Sequence, residues 1–185
     1  MEQIGNTGPS PGGGSAAAAS AALAMALLSM VLGISLEKLP KSSVRVKRLR
    51  PAIRQSNALV KGLLRLADAD AKSYQAYLTA KKRGTKARQA ALKKLIEMPT
   101  SLYEACCAGL KICGSAAQSI QPSLLSDLVI SGELLDAAAK GAIMLIAVNA
   151  PRGKTQTSVL RKQLLELKKN TRLEIRQASK RNRPK

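Results

Sequence analysis

The residues in this chain able to do chemistry are few, and their spacing limits what they can do. There is no histidine. That removes the commonest general base and metal ligand, and every Ser-His or Cys-His nucleophile scheme. Acid–base work must fall to Asp, Glu, Lys, Tyr or Cys. Asp70 is the first candidate, with Tyr74 one helical turn later. Asp68 lies two residues before Asp70, so on a helix the two carboxylates point to opposite sides and do not readily serve one site. Asp127 follows Ser126 near the start of a strongly apolar stretch that Asn149 closes. Gly12-Gly13-Gly14-Ser15 precedes an uncharged run. Glycines ahead of a helix expose unpaired backbone N–H groups, and with the helix N-terminus they form a seat for a carboxylate or phosphate.

Each feature also has a structural reading. The glycines are equally a loose linker ending in an ordinary cap. Asp70 is equally a solvated acid balancing nearby cations. Asp127 suits the positive end of a helix dipole, and Asn149 suits a C-cap. Cys106, Cys107 and Cys113 are odd in number and share one apolar stretch. They form no disulfide framework and fall one short of an all-cysteine zinc site, so they read as packing thiols in a reducing compartment. No metal site is expected.

The elements that must position these groups are helices. The chain has 185 residues, enough for one domain and a sizeable core. With no Phe or Trp and three tyrosines, that core must be built of Ala, Leu, Ile, Val and Met. Such residues favour close-packed helices over sheets. The expected fold is all-α, a bundle around two apolar central helices, with a helical domain over 15–150. Residues 1–14 read as a Gly/Pro-rich flexible lead, with Ser15 as N-cap of a first helix over 16–36 that is buried on all sides. Its 21 uncharged residues are long enough for a membrane span, but Ala and Ser dominate its first half and argue against one.

A second helix is predicted over 43–82, kinked or broken at Pro51 and stopped by Lys81-Lys82-Arg83-Gly84. A third covers 85–97, and a fourth begins at Pro99, a residue suited to a first turn. A loop over 119–123 leads to a fifth, apolar helix ending at Asn149. A basic helix over 158–179 carries a packing seam at Leu160, Leu164, Leu167, Thr171 and Ile175, within a C-terminal element taken as 151–179. Residues 180–185 read as a disordered basic tip.

The net charge of +20 implies attraction to polyanions. Residues 38–54 and 81–94 each hold seven cations and no acid. Nucleic acid is therefore a candidate partner through these clusters, although they carry no aromatic residue on which bases stack. The plainer reading is a solvated helix face.

Four ordered blocks carry a family resemblance. Ser10-Pro11-Gly12-Gly13-Gly14-Ser15 with its Ala-rich helix comes first. Leu66-Ala67-Asp68-Ala69-Asp70-Ala71-Lys72-Ser73-Tyr74 follows, then Gln89 with Met98-Pro99, then Ser126-Asp127 with the helix to Asn149. Together they resemble the formiminotetrahydrofolate cyclodeaminase and methenyltetrahydrofolate cyclohydrolase family. The resemblance implies an intracellular, cytoplasmic enzyme, a homodimer with its site near the interface, acting on 5-formimino- or 5,10-methenyltetrahydrofolate or its polyglutamate without metal or redox cofactor. It assigns acid–base catalysis to Asp70 and Asp127. Gly12, Gly13, Gly14, Ser15, Lys38, Tyr74, Ser126 and Asn149 become substrate contacts, with Asp70 and Asp127 converging beside the glycines. The chain departs from the family pattern at three places. Leu145 replaces an Asn, Ile120-Gln121 replaces Gly-Asn, and Ser35-Leu36-Glu37-Lys38 stands for Thr-x-Gly-Lys.

Overall fold

The structure, a computed structural model, describes residues 11–150 and 153–181, without the side chains of 153–156. The expected lead as far as residue 10 and the basic tip from residue 182 lie outside the described residues. Among those described there are five α-helices and no strand: α1 (Gly13–Glu37), α2 (Val44–Lys81), α3 (Thr85–Ala116), α4 (Leu125–Asn149) and α5 (Gly153–Arg181). Two short 3-10 turns, Ala117–Ser119 and Pro122–Leu124, occupy the predicted loop before α4.

The chain packs as an up-and-down bundle. α1 runs antiparallel to α2, since Ser15 bonds Ala67 and Ser29 bonds Asn57. It also runs antiparallel to α4, since Ala17 lies against Gly141 and Ser35 accepts from Gln121. α3 crosses the α1–α4 pair at Gly109, whose Cα faces Met25 and Leu135. α5 closes the bundle along α3 and α4: Tyr103 donates to the Leu160 carbonyl, and Thr171 donates to the Leu110 carbonyl. Leu164, Thr171 and Ile175 are buried and Leu160 and Leu167 pack against the core, so the predicted seam is the docking face of α5.

Small residues set the inner spacing. Ala18, Ala21, Ala22 and Ala24 of α1 are buried, as are Ala138, Ala139 and Ala142 of α4. Larger Leu28, Leu32, Leu102, Leu110, Leu128 and Leu135 fill the rest of the core. Each such leucine contributes about 1.5–3 kcal/mol by leaving water. α1 is not enclosed on all sides as expected: Leu23 and Met30 are 65% and 44% exposed. It is long and apolar enough to cross a membrane by length and composition, yet in this fold its inner face packs on α2 and α4.

Neither proline ends a helix, and the reason is shared. α2 continues through Pro51 and α3 through Pro99, so the predicted third and fourth helices are one. Proline forfeits one backbone bond and crowds the preceding turn. Burial on both sides outweighs that cost: Leu49 and Ser56 flank Pro51, and Met98 and Leu102 flank Pro99. Beside Pro99 the Thr100 hydroxyl donates to the Ile96 carbonyl. The start near Ser43 and the stop at Lys81-Lys82-Arg83-Gly84 hold. Ser43 caps α2 by accepting from the Arg45 amide, and Gly84, with φ +103, separates α2 from α3 in a conformation that favours glycine.

Candidate active site

The N-terminus of α1 is built around a carboxylate of the protein's own. α1 begins at Gly13 with Gly12 as its cap, so Ser15 is the third helical residue and not the N-cap. Its amide is one of the orphan donors of the first turn. It donates to Asp70 Oδ2 at 2.8 Å, and the Ser15 hydroxyl lies 3.1 Å from the same oxygen and 2.8 Å from the Ala67 carbonyl. A carboxylate at this end of a helix also meets the positive pole of the dipole. Ser15, expected to touch substrate, bonds Asp70 and Ala67 of α2 in this structure. It spends its donors on α2, and the anion in the expected seat is Asp70.

Gly14 is required by this arrangement. A Cβ there would fall within 2.6 Å of Asp70 Cγ and both carboxyl oxygens. At Gly12 and Gly13 a Cβ would meet nothing within 4 Å, because both border an open pocket. That pocket, about 450 Å³, is lined by Gly12, Gly13, Gly14, Asp70, Tyr74, Leu95, Gly141, Met144, Leu145, Val148 and Asn149. Most of its wall is apolar. Its polar groups are unspent: Asp70 Oδ1, the Tyr74 hydroxyl and the Asn149 side chain bond no other protein group among the described residues. An apolar cleft with a few convergent polar groups free to bond is the usual form of a small-molecule site.

The predicted site residues divide between two ends of the bundle. Gly12, Gly13, Gly14, Asp70, Tyr74 and Asn149 share the pocket. Ser126 and Asp127 begin α4 and Asn149 ends it, which separates Asp127 from the pocket by about 33 Å of helix. Lys38 is the C-cap of α1, about 37 Å from Gly13. Within one chain the expected convergence of Asp127 with Asp70 does not occur, and Lys38 and Ser126 stand with Asp127 at the far end. Asp68 is exposed, opposite Asp70 as expected.

Two of the three departures from the family pattern meet each other at that far end. Ser35, fully buried, accepts from the Gln121 amide at 3.1 Å. The third, Leu145, lines the pocket one turn before Asn149.

A family model described as Formiminotransferase-cyclodeaminase matches residues 1–166. The chain belongs to this family. Among solved structures, formiminotetrahydrofolate cyclodeaminase from Thermotoga maritima is similar to it with a TM-score of 0.76 over 97% of this chain and 89% of that one, at 21% identity. No curated protein matches the chain. At that identity the structural likeness shows the shared fold, and the cyclodeaminase-family assignment rests on the family match.

Sequence reasoning missed one charged cluster in this cyclodeaminase-family fold. Asp136, 3% exposed, pairs with Lys140 at 2.8 Å and with Lys168 of α5. Lys168 also reaches Glu133 at 2.9 Å, and Glu133 meets Arg172 at 2.7 Å. Burial pushes the Asp136 carboxyl up, but its bonds to Lys140 and Lys168 outweigh that and hold it below the ordinary carboxylate range. Glu133 is held low by Arg172 and Lys168. The cluster pins α5 to α4. Its sequence signal was an Asp four residues before a Lys, with Glu133 one turn earlier, on a mostly apolar helix.

Cys106 and Cys113 are buried in the core, and Cys107 is half-buried at the edge of a cleft. Burial pushes the Cys106 and Cys113 thiols up to about 12, and Cys107 is raised as well. No group of three metal-ligating side chains occurs among the described residues.

Proposed function

We propose that the chain acts on a tetrahydrofolate bearing a one-carbon unit, the 5-formimino or 5,10-methenyl form, in the glycine-lined pocket. The carrying observation is the state of Asp70: one carboxylate oxygen is fixed by the Ser15 amide, with the Ser15 hydroxyl shared between it and the Ala67 carbonyl, and the other is left to the pocket. A carboxylate held this way is oriented for proton transfer without competing protein bonds. Cyclisation of the formimino form needs a proton removed from the attacking nitrogen and one delivered to the departing ammonia. Hydrolysis of the methenyl form needs a proton taken from water. Both pass through a tetrahedral carbon between two nitrogens, next to which Asp70 Oδ1 serves. The Asn149 amide and Tyr74 hydroxyl orient the polar ring, and Gly12 and Gly13, lacking side chains, let it approach the backbone.

Homodimerisation fits the uncovered row of α1, where Leu23, Leu27 and Met30 recur at helical spacing on one face. The alternative, a family member that binds nucleic acid in place of catalysis, is supported by exposure of all fourteen cations in 38–54 and 81–94. Loss of binding as salt rises would be its signature.

The decisive assay follows the near-ultraviolet absorbance of 5,10-methenyltetrahydrofolate, formed from the formimino compound or consumed by hydrolysis. We expect a protein-dependent rate that Asp70→Asn lowers at least 100-fold with folding intact. No rate above the spontaneous one in either direction would retire the enzymatic reading.

A further inference from the structure

Cations crowd the end of the bundle remote from the glycine pocket. The C-termini of α1, α3 and α5 and the N-termini of α2 and α4 meet there. Lys38, Lys41, Arg45, Lys47 and Arg48 come from the α1–α2 turn and the start of α2, and all are exposed. Arg176, Lys180 and Arg181 come from the last turns of α5 and are exposed as well. The connection before α4 bridges the two groups: the Gln121 amide donates to Ser35 of α1, and Gln118 accepts from Arg181. None of these cations pairs with an acid among the described residues. The acids of this end, Glu37, Asp127 and Glu174, are fewer.

Folding does not account for the α2 group. A helix N-terminus is the positive pole of its dipole and favours acids, yet α2 has no acid in its first turn and opens with Arg45, Lys47 and Arg48. Arg45 and Arg48, three residues apart on one helix, repel each other. Lys180 and Arg181, by contrast, suit the negative pole of α5. Charge kept where it opposes the fold points to an anionic partner. Arg176 also lines a cleft of about 360 Å³ between α4 and α5, together with Ser126 and Ser179. The two hydroxyls bond no other group among the described residues. A guanidinium without an acid and two free hydroxyls suit one phosphate.

We propose that this end binds a nucleic-acid duplex through its phosphates, with the cleft between α4 and α5 seating one of them. The proposal rests on the nucleic-acid reading and confines it to one end of the molecule. Residues 38–54 and 81–94 flank α2, a helix of about 57 Å, and form no single patch. The surface lies about 33 Å along α4 from the pocket, so it does not compete with chemistry there. A duplex is favoured over a single strand because no aromatic side chain stands at this end for bases to stack on. Tyr74 and Tyr77 lie in the other half of α2, and Tyr103 is buried. α2 and α5 both border the outer face of α3, so their cations stand within about 20 Å of each other. Long Lys and Arg side chains span that width to reach phosphates on both edges of a major groove about 12 Å wide.

The test is fluorescence-anisotropy titration of a DNA duplex, an RNA duplex and a single strand of equal length with the full chain, over a range of salt. Both duplexes should bind alike and more tightly than the single strand, since phosphate contacts carry no sequence information. Lys41→Gln, Arg45→Gln and Arg48→Gln together should lower duplex affinity about tenfold or more and reduce the slope of log affinity on log salt by about two to three. Tm should stay level or rise, because cations no longer face the positive pole of α2. Lys82→Gln, Arg83→Gln and Lys86→Gln together, at the α2–α3 turn, should leave duplex affinity unchanged. Loss of affinity in this second variant but not in the first would overturn the placement and leave the nucleic-acid reading standing. A lower Tm in the first variant would show that those cations serve the fold, and tighter binding to a single strand or to anionic-lipid vesicles would give the surface another partner; either overturns the proposal. Failure of the unsubstituted chain to bind any duplex at low salt would overturn the proposal and the nucleic-acid reading together.

Discussion

Replacing Gly14 with alanine should harm both stability and activity, whereas the same change one residue earlier should help the first and spare the fold. The two sites are adjacent on the first turn of α1 and differ in what a methyl group meets. At Gly13 it meets nothing within 4 Å; at Gly14 it meets the Asp70 carboxyl group within 2.6 Å. Asp70 has a short side chain and cannot bend aside, so it must rotate off Ser15 and surrender the amide bond and its share of the hydroxyl, which Ala67 also accepts. Hydrogen bonds to a charged partner contribute roughly 1.5–3 kcal/mol each. These are partly buried, so a combined loss of about 3 kcal/mol is reasonable. The loss of the carboxylate from the helix pole adds about 0.5 kcal/mol, and the better helix propensity of alanine returns at most about 1 kcal/mol. The net is about 2–3 kcal/mol of destabilisation for Gly14→Ala, against a gain of up to about 1 kcal/mol for Gly13→Ala. In a chain of this size the former lowers Tm by roughly 4–12 °C and the latter raises it by up to about 4 °C. Displacement of Asp70 by an ångström or more should also cut the rate about 100-fold. Thermal denaturation and the methenyl absorbance assay read the two effects. Equal Tm for the two variants would show that Asp70 does not press on Gly14, and the site built on that contact would be wrong.

Gly109→Ala should destabilise by about 1–3 kcal/mol, read from urea unfolding, because the new methyl would meet Met25 Sδ at 2.6 Å and Leu135 Cδ1 at 2.8 Å in the core. Leu145→Asn should raise the cyclodeaminase or cyclohydrolase rate at least tenfold, since it adds a polar group one turn from Asn149 inside the pocket; a rate unchanged or lower would show that the position does not touch the reacting centre. Asp136 and Glu133 have carboxyl groups held below their ordinary values in the folded chain. Their contribution is present above the unfolded carboxylate pKa of about 4 and is lost as pH falls through the lower folded values. Tm should therefore drop steeply below about pH 4, and Asp136→Asn should lower Tm at pH 7 and flatten that acid slope.

Local signals were readable where one residue's backbone chemistry decides the outcome. Ser43 caps α2, Gly84 ends the α2–α3 turn with positive φ, and the Leu160-to-Ile175 seam is the face of α5 that docks. The helix boundary predicted at Pro99 and the break allowed at Pro51 are absent because a local penalty met long buried faces on both sides, and tertiary burial is not visible in a short window. The exposed row of α1 misled for a related reason. A helix apolar all round reads as enclosed, and only the packed fold shows which side is left open. The charge cluster at Asp136 was missed because its main partner, Lys168, lies 32 residues away on another helix.

The division of the proposed site was arithmetic already present in the sequence. Asp127 and Asn149 sit at opposite ends of one predicted helix, and Gly12 and Lys38 flank another. Residues placed so cannot meet in a single chain, because a helix is a rigid rod of about 1.5 Å per residue. What sequence could not supply was which end holds a cavity, since that depends on α1, α2 and α4 arriving together. The answer has a chemical consequence. The pocket end keeps Gly14, Ser15 and Asp70 in mutual support, and a change at any one displaces another. At the far end, the two altered segments satisfy each other through the Ser35–Gln121 bond. Substitution there leaves the anchoring of Asp70 untouched, so the far end can diverge while the carboxylate remains in place. Of the three departures from the family pattern, only Leu145 lines the pocket of its own chain.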